Sequence, residues 1–393
     1  MSPKKESNGC GCSSIPISLI LVLLGVGYWG FKNLDRPDIS QFLPNNQPPI
    51  ADMPSASIKR VPVANSPAPK VISTKTPLPS TQVSASPVIP KKLSQTLWEK
   101  KEIRGIYLSR YQATNNASEQ TIRERVRYYR SRGINTIIHG VWGNGCTMYN
   151  SDVLQQTFGY KSCPNQFQAQ WLDWLIDEAH KQGMQVHAYF EKGIKIDKNS
   201  PIFDLATSKQ WIVPGVDKTY TGINHYVLDV EIPEVANLFK QISVEFVQNY
   251  PNIDAVQWDD YLGYHAELPG KVDRTACLTK FVRQMRADIK KANPKVSFDL
   301  SHHNPYWSKR YFAADWKNWN VDRVFIQNYN DTNFNQELDY AKNYAGVAIL
   351  DKQMYRLKEL IKNNKIKSVL IFPSSGKPEE TAVSIQRVTS MSN

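Results

Sequence analysis

The chain has 393 residues, enough for one large domain or two ordinary ones. Its formal net charge of +12 divides evenly, because residues 1–95 carry ten Lys or Arg against four Asp or Glu, a net of +6, which leaves +6 for the remainder. No basic patch interleaved with aromatic residues is present, so nucleic acid is not the expected partner. The positive charge suits binding to anionic lipid or to an anionic wall polymer, and a role in general solubility explains it equally well.

The N-terminal residues predict a membrane anchor. Residues 8–31 contain no charged side chain, and residues 15–31 are almost wholly apolar, which suffices for a span because about 17–25 residues cross a bilayer. Lys4 and Lys5 precede this run and favour a cytoplasmic N-terminus. We therefore predict a cytoplasmic segment at 1–14 and a transmembrane helix at 15–31.

Two other roles for the apolar run are weighed against an anchor. A cleaved signal peptide is the main alternative, although only the segment at 25–27 resembles a small-residue cleavage site. A lipoprotein is disfavoured because Cys10 and Cys12 precede the apolar run instead of following it.

A linker follows the predicted anchor. Half of the chain's 24 prolines lie between Asp35 and Gln95, among many Ser, Thr, Ala and Gln residues. Such a segment buries too little apolar surface to offset the entropy of ordering. We predict a disordered linker at 32–95, able to carry a domain on the order of 100 Å from a membrane.

From residue 96 onward, short β-prone runs alternate with helical patterns, which predicts one domain over 96–393. Eight strands are expected at 103–109, 135–141, 185–190, 255–258, 296–301, 323–329, 346–350 and 368–372. Helices are expected between and after them at 119–131, 170–181, 233–249, 274–292, 334–344, 352–362 and 379–388. Eight strands alternating with helical segments predict an α/β fold of the (β/α)8 TIM barrel type. An open doubly wound sheet is the alternative, but no Gly-rich phosphate turn is present.

The cysteines differ in their expected environments. Cys146 and Cys163 lie in one predicted loop, where a disulfide and two free thiols are both compatible with the sequence. Cys277 lies in a helical pattern and is expected in the core. No zinc-ligand spacing and no cofactor motif is present, so no metal and no cofactor is expected.

The most informative motif is IDAVQWDDY at residues 253–261. The strand ends in two adjacent acids, and the carboxyl ends of barrel strands face the ligand. Alternation turns Gln257 and Asp259 towards the lumen and Trp258 towards the helices, while the direction of Asp260 is undetermined. Both acids could instead cap the following turn or bind a structural ion.

Other strands direct polar residues to the same lumen. They are His187, Tyr189 and Glu191 near strand three, Asp299 in strand five, and Gln327 and Tyr329 near strand six. We expect these residues and Trp142 after strand two to contact substrate or to orient the acids. Of His302 and His303, which follow strand five, one is expected to reach the site and the other to lie in the loop, and His302 is the candidate. Glu191 is the candidate third catalytic acid, although it could merely pair with Lys192 or Lys195.

Six segments resemble the bacterial family-10-like glycosyl hydrolases, the group that contains the divisome-associated peptidoglycan glycan hydrolase. The segments are EIRGIYL (102–108), GINT (133–136), EAH (178–180), GMQVHA (183–188), the run from ID to WDDY (253–261) and QNY (327–329). The resemblance implies a (β/α)8 barrel and a polysaccharide substrate. The chain departs from the family at Trp142, Cys146 and Glu191, where Arg, Asp and Asn are usual.

Together these observations predict an anchored glycoside hydrolase that acts on a wall or surface glycan, with its barrel in the periplasm or outside the cell. Asp259 is expected to be one of two catalytic carboxyl groups, and Asp260 or Glu191 is expected to be the other. The alternative is a catalytically inactive glycan-binding barrel that tethers the envelope to the wall. A polysaccharide deacetylase would need a His/Asp metal site that the sequence does not supply. The oligomeric state is left open.

Overall fold

The computed structural model describes residues 95–109, 117–164, 166–219, 222–269 and 273–390. The predicted cytoplasmic segment, the anchor and the linker up to residue 94 lie outside these ranges. Within the ranges, no helix has both the length and the apolar character that crossing a membrane requires.

Eight parallel strands close into a barrel. The strands of the described chain are β1 (Arg104–Leu108), β2 (Thr136–Gly143), β3 (Cys146–Thr147), β4 (Gln185–Phe190), β5 (Lys195–Ile196), β6 (Tyr226–Val227), β7 (Ala255–Trp258), β8 (Ser297–His302), β9 (Arg323–Gln327), β10 (Gly346–Leu350) and β11 (Val369–Phe372). The barrel order is β1, β2, β4, β7, β8, β9, β10 and β11, and β11 pairs back onto β1. The predicted TIM barrel is therefore confirmed, and an open sheet is excluded.

Helices follow the barrel strands. In the described chain they are α1 (Glu119–Ser131), α2 (Asp152–Phe158), α3 (Trp171–Lys181), α4 (Phe203–Ser208), α5 (Pro233–Asn249), α6 (Arg274–Ala292), α7 (Pro305–Phe312), α8 (Phe334–Ala341), α9 (Leu357–Lys362) and α10 (Pro378–Ser390). The bounds of α1, α5 and α6 are those predicted. The prediction lacked α2, α4 and α7. The Tyr, Trp and Phe residues of α7 favour strands when they are considered alone.

Local sequence explains where the long helices begin. The Ser118 hydroxyl accepts a hydrogen bond from the Thr121 amide at the start of α1, and Asp273 caps α6 in the same way. Pro233 occupies the first turn of α5, where its missing amide hydrogen costs no helical bond. The buried residues of α1, Ile122, Val126 and Tyr129, recur every three or four positions and so face the barrel.

Strand alternation separates two apolar clusters. Val256 and Trp258 belong to the larger cluster between strands and helices, and the Trp258 ring stacks on Phe190 with 4.4 Å between centroids. The smaller cluster fills the lumen and includes Tyr107 and Tyr189. The predicted inward and outward faces of the fourth barrel strand are therefore correct.

The segment between β2 and α3 is closed covalently. Here β3 pairs antiparallel with the end of β2, and Cys146 of β3 is disulfide-bonded to Cys163. Cys277 lies on α6 and is a partly buried free thiol. The disulfide thus closes a loop of 17 residues directly beyond the carboxyl end of a barrel strand.

Replacing Cys146 and Cys163 together by serine should lower the free energy of unfolding by about 3 kcal/mol, because a loop of this size gains entropy in the unfolded chain. Denaturant titration measures the loss, and reduced wild-type protein should show the same loss. Cys277→Ser is the control and should leave the midpoint nearly unchanged. Equal stability of the double variant and the wild type would contradict the prediction.

A second buried contact joins α8 to the start of α7. The Glu337 side chain on α8 is 3% exposed and accepts a hydrogen bond from Asn304 Nδ2 at 2.6 Å. Asn304 in turn caps α7 by accepting from the Tyr306 and Trp307 amides. Burial raises the pKa of the Glu337 carboxyl to about 7, because the effect of burial is larger than the opposing effect of the hydrogen bonds from Asn304. The folded protein thus favours the protonated form of this group.

The raised pKa of Glu337 predicts a pH-dependent stability. Between about pH 4.5 and 7 the folded state binds more protons at Glu337 than the unfolded state does. The contribution of protonated Glu337 to the free energy of unfolding is therefore present at low pH and is lost as pH rises. Glu337→Gln should therefore gain stability relative to wild type as pH rises through this window, reaching about 3 kcal/mol near pH 7. Denaturant titrations from pH 4 to 8 measure the difference. The exposed control Glu234→Gln should follow wild type, and a pH-independent difference for Glu337→Gln would disprove the assignment.

Candidate active site

Two adjacent acids occupy the carboxyl end of β7. Asp259 is 4% exposed and Asp260 is 2% exposed. Asp259 caps a 3-10 turn, Asp260–Leu262, with its Oδ1 accepting from the Tyr261 amide at 2.9 Å. Its Oδ2 accepts a hydrogen bond from the Tyr189 hydroxyl in the lumen. Asp259 therefore fulfils the capping role weighed from the sequence and also faces the lumen.

Asp260 points towards the neighbouring strands. Its Oδ1 accepts a hydrogen bond of 3.2 Å from Gln327 Nε2 at the end of β9. Its Oδ2 lies 3.8 Å from His303 Nε2, which follows β8. The Gln327 amide also donates to the Ser301 carbonyl, so it is fixed between two strands. The structure thus gives Asp260 the direction that alternation alone could not.

The two acids influence each other electrostatically. Burial and the neighbouring charge of Asp260 raise the pKa of Asp259 well above its ordinary value, against the opposing hydrogen bonds from Tyr189 and the Tyr261 amide. Burial likewise raises the pKa of Tyr189 and Tyr329 well above the usual range, so both tyrosines remain neutral donors. The site therefore holds a carboxyl group that favours its proton beside a second acid.

Glu191 begins the turn that follows β4. Its amide donates to the Trp142 carbonyl at 2.9 Å, and its side chain is partly exposed. Its charge contributes to the raised pKa of both Tyr189 and Tyr261, as the charge of Asp259 does. The charges of all three acids selected from the sequence thus act on Tyr261, and those of Asp259 and Glu191 also act on Tyr189.

Two expected substrate-binding residues lie deeper than the sequence suggested. Asp299 is fully buried and is paired through both oxygens with Arg323, at 2.9 and 2.7 Å. His187 lies 3.6 Å from the same carboxylate, and burial together with the Arg323 charge lowers its pKa to about 3. Alternation predicts the face of a side chain but not its depth, and Asp299 precedes the strand end by three residues. His187 and Asp299 form a polar layer beneath the acids instead of reaching the rim.

Two other expected contacts face the helices. The Trp142 indole donates to the Gly193 carbonyl at 2.9 Å and packs against Phe239 within the outer cluster. The His302 ring contacts Ser308 Oγ at 2.7 Å and faces Phe312. His302 is the last residue of β8 and alternates outward, so the histidine beside Asp260 is His303. Trp142 and His302 are therefore structural in this fold.

The sequence missed other residues around the acids. Tyr107 of β1 accepts a hydrogen bond from Gln257 and meets the Tyr189 ring edge-on at 5.3 Å. The alternation rule applied to the other strands would have identified Tyr107 as well. Tyr329, which was predicted, packs beside the same lumenal cluster. Lys195 lies within a long excursion after β4 and has no sequence signal of its own. In the described chain, no group of three or more His, Cys, Asp or Glu side chains is arranged to hold a metal ion.

Comparison with known proteins finds a family model that matches part of the chain. Residues 102–273 match the family model described as glycosyl hydrolase-like 10. The chain is 29% identical over 187 residues to the glycosyl hydrolase DigH of Escherichia coli K12 and of Shigella flexneri, which covers 43% of this chain and 39% of each relative. The chain thus spans about two fifths of the length of these curated relatives.

A solved structure extends the likeness over most of the barrel. The crystal structure of an Anoxybacillus alpha-amylase matches with a TM-score of 0.50 and 12% identity, covering 76% of this chain and 79% of that chain. At this identity the likeness concerns the fold alone. The family match is narrower but includes both acids at the end of β7, so residues 102–273 match the glycosyl hydrolase-like 10 family and the predicted resemblance is confirmed over that segment.

Proposed function

We propose that the protein is a glycoside hydrolase that cleaves a cell-wall or surface polysaccharide by carboxylate acid/base catalysis. The observation that carries the proposal is the pair of buried acids at the end of β7, one of which favours its protonated form. Glycosidic cleavage ordinarily uses this combination, because a protonated acid assists the leaving oxygen while a carboxylate acts as base or nucleophile.

The contacts of each acid support a division of roles. Asp259 holds the proton for the leaving oxygen, with Tyr189 orienting its Oδ2. Asp260 is the partner carboxylate, directed by Gln327 and by the nearby His303 ring. Glu191 is the competing partner because it lies on the turn beside the same tyrosines. No step in this scheme requires a cofactor.

The proposed location is outside the cytoplasm, with the protein anchored by residues 15–31 and the barrel carried on the linker at 32–95. The apolar N-terminal run, the proline-rich segment and the Cys146–Cys163 disulfide support this arrangement, since disulfides persist in oxidising compartments. The family resemblance makes peptide-free peptidoglycan strands the first glycan to test.

Substitution of the acids tests the division of roles. Asp259→Asn and Asp260→Asn should each lower kcat on peptide-free peptidoglycan strands by about two to four orders of magnitude, the usual contribution of a catalytic acid or base. Glu191→Gln should lower it by less than about tenfold. Release of reducing ends measures the rate, and the exposed Asp204→Asn is the control. A larger loss in Glu191→Gln than in Asp260→Asn would transfer the partner role to Glu191.

One observation favours the inactive, glycan-binding alternative: both acids are almost completely covered, and Asp259 also has a structural role as a cap. The same assay separates the two functions. Glycan binding without release of reducing ends by the wild type would establish the binding barrel and contradict the hydrolase.

The hydrogen bond from Tyr189 predicts a shift in the pH profile. This bond lowers the pKa of Asp259, so Tyr189→Phe should raise that pKa and move the alkaline limb of kcat/KM to higher pH. Tyr107→Phe is the matched control, because it removes a hydroxyl in the same layer that bonds to Gln257 instead. An unmoved limb in Tyr189→Phe, or an equal shift in Tyr107→Phe, would show that Asp259 does not set the limb.

A further inference from the structure

A fully buried lysine lies beside the two acids. Lys195 of β5 forms an ion pair with Asp217, with 2.8 Å between Nζ and Oδ2, and neither side chain is exposed. Removing two charges from water is costly, and an apolar pair of similar volume is often at least as stable. Stability alone therefore gives no reason for a lysine at this position, and its other contacts become informative.

The turn formed by residues 191–195 packs against the 3-10 turn Asp260–Leu262, which follows Asp259. The Ile194 amide donates to the Tyr261 carbonyl at 3.1 Å. Gly193 has a φ of +47°, and a Cβ atom there would lie 2.5 Å from the Tyr261 carbonyl, so any other residue would force the two turns apart. The Trp142 indole holds the Gly193 carbonyl from the opposite side.

Lys195 completes this contact through its charge. Its ammonium lies 5.0 Å from the centroid of the Tyr261 ring and 5.8 Å from that of Phe312, within the range of an attractive cation–π interaction. Tyr261 follows Asp260 directly, and its amide is the group that Asp259 caps. The lysine therefore contacts the residue whose amide fixes the direction of the Asp259 carboxyl group and which directly follows Asp260.

We infer that Lys195 is a positioning residue for the acid pair, acting through Tyr261 and held in place by Asp217. The inference concerns the geometry of the site and rests on the proposed function only for its effect on turnover. Asp217 lies later in the segment that follows β4, where it forms a β-bridge with His225, and it supplies the counter-charge that allows the lysine to be buried.

The electrostatic surroundings are consistent with this role. The Lys195 charge lowers the pKa of Asp259, opposing the larger effects of burial and of Asp260, and it also lowers the pKa of His303 beside Asp260. The polar and charged groups around the acids come from several elements: Tyr189 of β4, Glu191 and Lys195 of the turn after it, Tyr261 of the 3-10 turn, His303 after β8, and Gln327 and Tyr329 at the end of β9. Lys195 is the cation of this group.

The test removes both charges together. Lys195→Met alone would leave the buried Asp217 carboxylate without its cation, so the variant to use is Lys195→Met with Asp217→Asn. The matched control is Lys101→Met, because Lys101 is also buried but donates to the Asn363 and Ile366 carbonyls at the other end of the barrel. Denaturant titration first establishes that both variants fold.

Two readouts report on the acids. In protein labelled with ¹³C at aspartate carboxyl carbons, with signals assigned from Asp259→Asn and Asp260→Asn, the double variant should raise the titration midpoint of Asp259 by at least half a pH unit. On peptide-free peptidoglycan strands it should lower kcat at least tenfold while KM changes less than twofold. Lys101→Met should change neither quantity.

The outcomes separate this inference from the proposed function. Wild-type titration and turnover in the folded double variant would overturn the positioning role. A shifted titration in the double variant, together with a wild type that cleaves no glycan, would uphold the positioning role and reject the hydrolase. A loss of turnover without any shift of the carboxyl titration would show that Lys195 acts elsewhere and would also overturn the inference.

Discussion

The carboxyl groups of Asp259 and Asp260 are consecutive in sequence and almost completely buried, and the surrounding residues stabilise them there. A buried carboxylate without partners is strongly unfavourable, and here each acid has partners from a different direction. Asp259 is bonded by the Tyr189 hydroxyl and the Tyr261 amide, and Asp260 by Gln327. The resulting divergence of the two side chains allows neighbours in sequence to serve as separate chemical groups.

The barrel beneath the acids is layered, as alternation in a closed sheet requires. The Arg323–Asp299 pair and His187 form a polar layer near the amino ends of the strands. Tyr107 and Tyr189 lie above it among apolar side chains, and the acids lie above these. Hydrogen bonds connect the layers, because Gln257 contacts His187 and donates to Tyr107, while Tyr189 donates to Asp259.

The sequence predicted the barrel because eight β-prone runs alternate with helical patterns, a signal that depends on local periodicity. It also predicted the face of Gln257, Asp259 and Trp258, since alternation within a strand is a local property. Depth in the lumen depends on the stagger between strands, so Asp299 was expected at the rim and lies below it. The contact of Lys195 with Tyr261 joins an irregular excursion to a distant turn, and no local pattern encodes such a contact.

The disulfide has a consequence for how the finished site is assembled. The disulfide joins Cys146 of β3 to Cys163, and β3 pairs with the end of β2, where Thr147 lies opposite Trp142. The Trp142 indole donates to the Gly193 carbonyl in the turn that contacts Tyr261. The disulfide loop is therefore connected to the acid pair through one tryptophan, so that the loop and the rim of the site form one continuous set of contacts.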